Sequence, residues 1–485
     1  MNLRYVPPVS SPPAASGFGD RYLLMLGGVL LGYALVSRTF AYLGVPPLFV
    51  GEVVLALGLV ALLGVTSLRW MGGHPALWLL GALLALVAAR TLPYVGRYGL
   101  DAPRDAMQAG YGLFAFVVAG LLVARPERLP ALLRRYRVFA AVVLALGWGV
   151  YLAVKLGGTA LPKLPWASNV QVLEMKAGEY LVHLAAITGF LYFGFARRRP
   201  VLVALLALSV GLALPSSRGG MAAYGLGVAA AWALRPPTAR AGRLAYAFVA
   251  LLAVGVVLGP TVAVNGGTRD VSVEQLWLNV KSVFGSSGTS TLDGSKRWRM
   301  LWWDTIWDYT VHGPYFWAGK GFGINLAEAD GFSVSDDQSL RSPHNGHLTM
   351  LARAGVPGAL LWIGVQLAWF AAVLRAWLAA RRRRQAAWMG LFALVVGYVL
   401  AAHVNGAFDV YFEGPMGGIW FWTVWGLGLA AAYLHPRHPA LLDGLLDAGE
   451  AAPPPPRRQP WHWTAPVANE TAAPRTVSPA LAGVE

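Results

Sequence analysis

The chain has 485 residues, of which 56% are hydrophobic and only 13% charged, with 20 tryptophans, a mean hydropathy of +0.52 and a formal net charge of +16. Soluble domains carry about 25% charged residues, so the composition excludes an ordinary soluble enzyme and places the chain in a membrane. Zero cysteines exclude disulfides, thiolate metal sites and cysteine nucleophiles, and basic residues spread along the whole chain argue against a nucleic-acid face.

Residues 1–20 are rich in proline and serine and lack the apolar core of a cleavable signal peptide, so they read as a polar tail. Apolar runs long enough to cross about 30 Å of hydrocarbon, with two short ones and allowance for tilt, then number roughly twelve. They lie at Tyr22 to Tyr42, Leu48 to Leu63, Ala76 to Leu92, Ala106 to Ala124, Phe139 to Val154, Tyr180 to Phe195, Val201 to Leu214, Met221 to Leu234 and Leu244 to Val262, and then at Leu348 to Leu374, Ala386 to His403 and Met416 to Leu434. The pattern predicts an all-α polytopic membrane protein. Nine spans fall in residues 21–262, a large loop in 263–346 and three spans in 347–435, and 436–485, with Pro453 to Pro456, reads as a disordered tail.

The arginines order these spans. Arg125, Arg128, Arg134, Arg135 and Arg137, then Arg197 to Arg199, then Arg235, Arg240 and Arg243, then Arg381 to Arg384 occupy alternate connections. Basic loops mark the cytoplasmic side, so both termini are expected there and the 263–346 loop outside.

A long loop in a membrane protein is a natural place for function. Val273, Leu276, Trp277, Val280, Val283 and Phe284 recur at helical spacing and suit an interfacial helix. A second helical stretch, Arg297 to Val311, carries Trp298, Trp302, Trp303 and Trp307, which read as an aromatic belt in preference to a sugar platform. Gly294 and Ser295 mark its start, which puts Lys296, Arg297 and Arg299 in the first turn. Cations there oppose the helix dipole by roughly 0.3 to 1 kcal/mol each, so an anion is expected among them, although snorkelling or pairing with Asp293 or Asp304 also fits.

Pro215 to Gly220 repeats the device: proline ends one helix, Ser217 caps the next, and Arg218 stands in its first turn, where it either snorkels or binds. Gly219 and Gly220 let a ligand or another helix approach. At the loop's end, Ser342 reads as an N-cap and Pro343 as the first helical residue, which sets His344 in the first turn of the re-entering helix. A neutral imidazole there either makes a structural hydrogen bond or accepts a proton as a general base. His347 lies three residues on, but no zincin glutamate follows and no third ligand is evident, so no metal is expected, although Asp336 and Asp337 keep that alternative open. Gly319 to Gly323 lacks a βαβ context and reads as a turn rather than a nucleotide loop. His403, Asn405, Asp409 and Glu413 sit in the last outward connection, and pattern alone gives them no role.

Taken together, the Ser217-Arg218-Gly219 turn, Arg299 with Trp303 and Pro314, Gly319 to Gly323, and His344-Asn345 with Leu348, Gly355 and Gly358 resemble the O-antigen ligase and polymerase superfamily, over about Val201 to Leu374. The resemblance implies a GT-C-like glycosyltransferase of the bacterial inner membrane, acting at the periplasmic face on glycans carried by undecaprenyl diphosphate, with no cofactor, metal or nucleotide sugar. It implies His344 as the base and Arg218 and Arg299 as the arginines that hold the donor diphosphate. Arg297 competes with Arg299 for its position, and Ser217 and Asn345 stand as supporting residues. The implied reaction is inverting transfer to an acceptor hydroxyl, on lipid A-core for a ligase or on a growing glycan for a polymerase. A lipid-linked glycan transporter suits the span count, but the notable charges gather at one face instead of the midplane.

Overall fold

The computed structural model describes residues 17–65, 68–197, 199–237, 290–334 and 340–446. The expected span Leu244 to Val262 and the interfacial stretch Val273 to Phe284 lie outside them. The helices are α1 (Phe18–Ala41), α2 (Val50–Leu63), α3 (Pro75–Tyr98), α4 (Asp101–Gly110), α5 (Leu113–Ala124), α6 (Arg128–Gly157), α7 (Ala177–Tyr192), α8 (Pro200–Ala213) and α9 (Arg218–Ala233). After the undescribed segment come α10 (Ser290–Trp307), α11 (Leu326–Ala329), α12 (Gly346–Arg382), α13 (Ala386–Gly406) and α14 (Pro415–Leu434). Seven of the described helical segments are long and apolar enough to cross a membrane: α1, α3, α4 continuing into α5, α6, α12, α13 and α14. The helices α2 and α8 are apolar but shorter. Two small antiparallel hairpins, β1 (Gly44–Val45) with β2 (Leu48–Phe49) and β3 (Lys163–Leu164) with β4 (Ala167–Gln171), follow the ends of α1 and α6.

The centre of the bundle is α7 against α9 and α13. Almost every side of α7 is buried, as expected of a helix apolar all round. Small residues bring α9 and α13 together: a Cβ on Gly227 would stand 2.8 Å from the Gly397 carbonyl, and one on Gly397 would stand 2.7 Å from the Gly227 carbonyl. Close backbone approach of this kind is how membrane helices gain packing without a hydrophobic driving force. Buried tryptophans supply polar ties, since an indole N–H away from water needs an acceptor. Trp420 donates to the Leu30 carbonyl at 2.9 Å, Trp369 to the Trp425 carbonyl at 2.8 Å and Trp388 to the Pro439 carbonyl at 2.8 Å.

The long helix α12 is interrupted at Gly355, whose φ is 69°, two residues before Pro357. A break frees carbonyls that must find donors. The 314–324 loop provides them: Lys320 N–H donates to the Ala352 carbonyl at 2.7 Å and Gly321 N–H to that of Arg353 at 3.0 Å, while Val356 N–H donates to Phe316 at 2.8 Å. Gly319, Gly321 and Gly323 all have positive φ, so the alternating glycines form the turns that dock this loop into the break.

The loop also has its own core. Trp302 is fully buried with Ile306, Leu326 and Leu351, stacks on Phe332 at 5.3 Å, and donates to Asp330 at 2.7 Å. This corrects the aromatic-belt reading for Trp302, because α10 packs on α11 and α12 and buries that face; Trp307 is half exposed. Residues 436–446, grouped with the tail by composition, pack onto the bundle: Leu442 and Leu445 are buried and Arg137 donates to the Leu445 carbonyl at 2.6 Å.

Candidate functional site

The N-termini of α7, α9, α12 and α14 lie at one end of the bundle, together with the end of α13 and the loop that follows it. Helix N-termini present unpaired amides and partial positive charge, so this end attracts anions.

Arg218 is held there by local structure. Ser217 adopts an extended backbone and its hydroxyl accepts the Gly220 amide at 3.0 Å, which makes it the N-cap of α9 and Arg218 the first helical residue, as the sequence predicts. The two glycines admit protein rather than ligand: a Cβ on Gly219 would lie 2.6 Å from the Phe408 side chain, and one on Gly220 would lie 2.8 Å from the Gly178 backbone. The start of α9 is thereby pressed against the α13–α14 loop and the start of α7.

Arg299 reaches the same loop. Its Nη1 donates to the Phe408 carbonyl at 3.0 Å. Burial pulls its pKa down, the nearby Asp409 carboxylate raises it, and the Arg218 guanidinium lowers it, for a net decrease. Two like charges close enough to repel each other beside one loop suit an anion between them. Arg297 is exposed. The helix-start argument for these cations is corrected, because α10 begins at Ser290 and both arginines sit well inside it, beyond the first turn.

His344 is not in the first turn of α12. The expected cap, Ser342, is buried and hydrogen-bonds Glu413 instead. Asn345 is the N-cap: its Oδ1 accepts the amides of His347 at 3.0 Å and Leu348 at 3.2 Å. His344 therefore precedes the cap, in a left-handed conformation with φ of 53°. Such a backbone is uncommon for a residue with a side chain and is held by its surroundings. Trp303 donates to the Pro343 carbonyl at 3.0 Å, and Thr349 donates to Glu413 at 2.9 Å. Burial raises the Glu413 pKa even though Ser342, Arg353 and Thr349 act to lower it.

The imidazole points toward Asp409, with Nδ1 3.7 Å from Oδ1. Asp409 also faces Lys176 Nζ at 3.6 Å and accepts the Val410 amide at 2.8 Å. Burial opposes its charge, but Lys176, the His344 ring and the Val410 amide outweigh that, so its pKa falls well below the carboxylate range. Burial likewise works against the Lys176 ammonium, and Asp409 and Glu179 reverse the effect and raise it. Behind Lys176, Glu179 lies 4.0 Å away and accepts the Ser37 hydroxyl at 2.5 Å. Ser37 has φ of 40° at a kink of α1.

His347 and His403 are tied to the helices around them. His347 receives the Trp362 N–H on Nδ1 at 3.0 Å, so its Nε2 carries the proton given to the His403 carbonyl at 3.1 Å. His403 Nε2 lies 3.3 Å from Gln366. Among the described residues no cluster of three or more His, Cys, Asp or Glu could hold a metal.

The structure thus brings Arg218, Arg299 and His344 to one loop, with Asp409 and Lys176 beside them and Arg297 exposed on α10. Asp409 carried a weak signal, its place in an outward connection. Lys176 carried none, being an isolated lysine before a helix.

Residues 202–363 match the family model described as O-antigen ligase, which supports the O-antigen ligase and polymerase superfamily for this chain and an activity of ligase or polymerase type. The matched segment contains Arg218, Arg299 and His344; Lys176 and Asp409 lie outside it. No curated protein matches the chain.

Proposed function

We propose that this chain transfers a glycan from undecaprenyl diphosphate to a hydroxyl of lipid A-core at the periplasmic face of the bacterial inner membrane, with His344 as general base. The observation that carries this reading is the placement of His344 against Asp409 on the loop that Arg299 also contacts. A carboxylate facing Nδ1 favours the tautomer protonated there and leaves the Nε2 lone pair for the acceptor hydroxyl, as in other base–orienter pairs. The 3.7 Å separation is longer than a full hydrogen bond, and such contacts commonly tighten when substrate binds.

The acceptor oxygen attacks the anomeric carbon as its proton passes to Nε2. The bond from that carbon to the diphosphate breaks, and the pair of electrons leaves on the carrier diphosphate. Arg218, Arg299 and the converging helix N-termini stabilise this growing charge more than the ground state. Direct displacement inverts the anomeric centre. The donor's diphosphate bond supplies the driving force, and these steps need no metal. The same residues would serve a polymerase, whose acceptor is the end of another repeat unit.

Purified protein incubated with a polyprenyl-diphosphate repeat unit, with and without lipid A-core, separates the two. One transfer onto the core is expected, and a glycan ladder without the core would assign the polymerase. His344→Ala should retain donor binding and lose transfer; near-normal turnover by that variant would refute the base assignment.

A further inference from the structure

We propose that the opposite end of the bundle binds one anionic phospholipid, with an acyl chain in a groove between α1, α6, α13 and α14 and its phosphate at Arg135. The groove and its charge stand independently of the glycosyltransferase reading; the choice of a phospholipid over the prenyl carrier rests on it. The groove is a half-open cavity of about 450 Å³ walled by apolar side chains such as Leu31, Leu394, Trp420 and Leu427, with Arg135 at its edge. Gly27 and Gly28 of α1 also line it, and a Cβ on either would meet no atom of a described residue within 4 Å. Glycine weakens a helix relative to alanine, and among the described residues nothing packs close to these two. They leave clearance for an alkyl chain.

The arginines of α6 supply the charge argument. Arg128 pairs with Asp20 at 2.7 Å and donates to the Leu121 carbonyl, and Arg137 donates to the carbonyls of Phe195 and Leu445. Arg135, between them, is exposed and makes no ion pair or hydrogen bond with a described residue. A carbon-lined groove ending in one guanidinium matches a ligand with an alkyl chain and an anion at one end. The lining comes from the first part of α1, while Ser37, on the site side, lies near its last turn. A carrier whose diphosphate rests on Arg218 and Arg299 has its headgroup at the other end, so a phospholipid of the far leaflet is the occupant.

Native mass spectrometry of the full chain in mild detergent tests this, with phosphatidylglycerol, phosphatidylcholine or undecaprenyl phosphate added. Wild type should retain one phosphatidylglycerol. Arg135→Gln should lose about tenfold of the preference for phosphatidylglycerol over phosphatidylcholine, and a Gly27→Leu, Gly28→Leu double variant should retain neither while its melting temperature in lipid-free detergent holds or rises. Equal retention by wild type and the double variant would overturn the groove, and undecaprenyl phosphate that wild type retains and the double variant loses would overturn the occupant. If the double variant does not fold, unchanged lipid preference in Arg135→Gln alone refutes the proposal.

Discussion

At Asp409, burial strips the carboxylate of hydration, and Lys176 at 3.6 Å with His344 at 3.7 Å returns more than is lost. Its folded pKa is below its unfolded one, so it contributes stability that is fully present above the unfolded value of about 4 and is lost as pH falls through the folded value. Asp409→Asn should therefore lower the melting temperature at pH 7, flatten the acid limb of the stability curve below about pH 4, and reduce turnover by roughly 10²- to 10⁴-fold. Melting curves against pH and steady-state transfer rates check both outcomes. The arginines make a second test. Arg299→Lys should lower kcat/KM at least about tenfold, roughly 1.4 kcal/mol, because a point charge does not reproduce paired guanidinium donors, whereas Arg297→Ala should change little. Equal losses would restore Arg297 to the site. His344, Arg218 and Arg299 stood out in the sequence as candidates because each sits in a short motif. The partner of His344 was not, since Asp409 is on another connection and only the fold makes them neighbours.

Caps position the site's side chains at the scale of the element. Ser217 caps α9 and thereby fixes Arg218; Asn345 caps α12 and fixes His344 one residue outside. Asn345→Ala should cost about 1 kcal/mol of stability and also lower turnover by misplacing His344, and Asn345→Asp should restore most of both. Thermal melts and transfer assays on the two variants decide this; equal turnover in wild type and Asn345→Ala would leave the cap a purely structural device. The α9 cap was readable because proline, serine and arginine occur in an unambiguous order. The α12 cap was read three residues early, because Ser342-Pro343 satisfies the same local signature as well as Asn345 does. The tie is broken by Glu413, which engages both Ser342 and Thr349 and so ties Ser342, two residues before His344, to the start of α12.

Across the whole molecule, one buried carboxylate joins the loop to the bundle. Asp105 of α4 accepts Arg341 at 3.0 Å, Arg353 at 3.0 Å and the Gly323 amide at 3.1 Å, and Arg353 is 2% exposed. Removing one partner of a buried charge set strands the others, so Asp105→Ala should destabilise by about 3–5 kcal/mol. Asp101, exposed and 3.3 Å from the same Arg341, should cost no more than about 1 kcal/mol on replacement by alanine. Denaturation of the two variants in detergent checks the contrast. By itself the sequence determined the membrane class and most helix positions and marked Arg218, Arg299 and His344 as candidates, because hydrocarbon solvent demands long apolar runs and helix ends demand short polar signatures. Only the tertiary structure decided that Asp409 stands between His344 and Lys176, that Trp302 is core, and that Arg299 reaches the α13–α14 loop. Those are contacts between segments far apart in the chain, fixed by how helices pack and where α10 begins, and no local pattern encodes them.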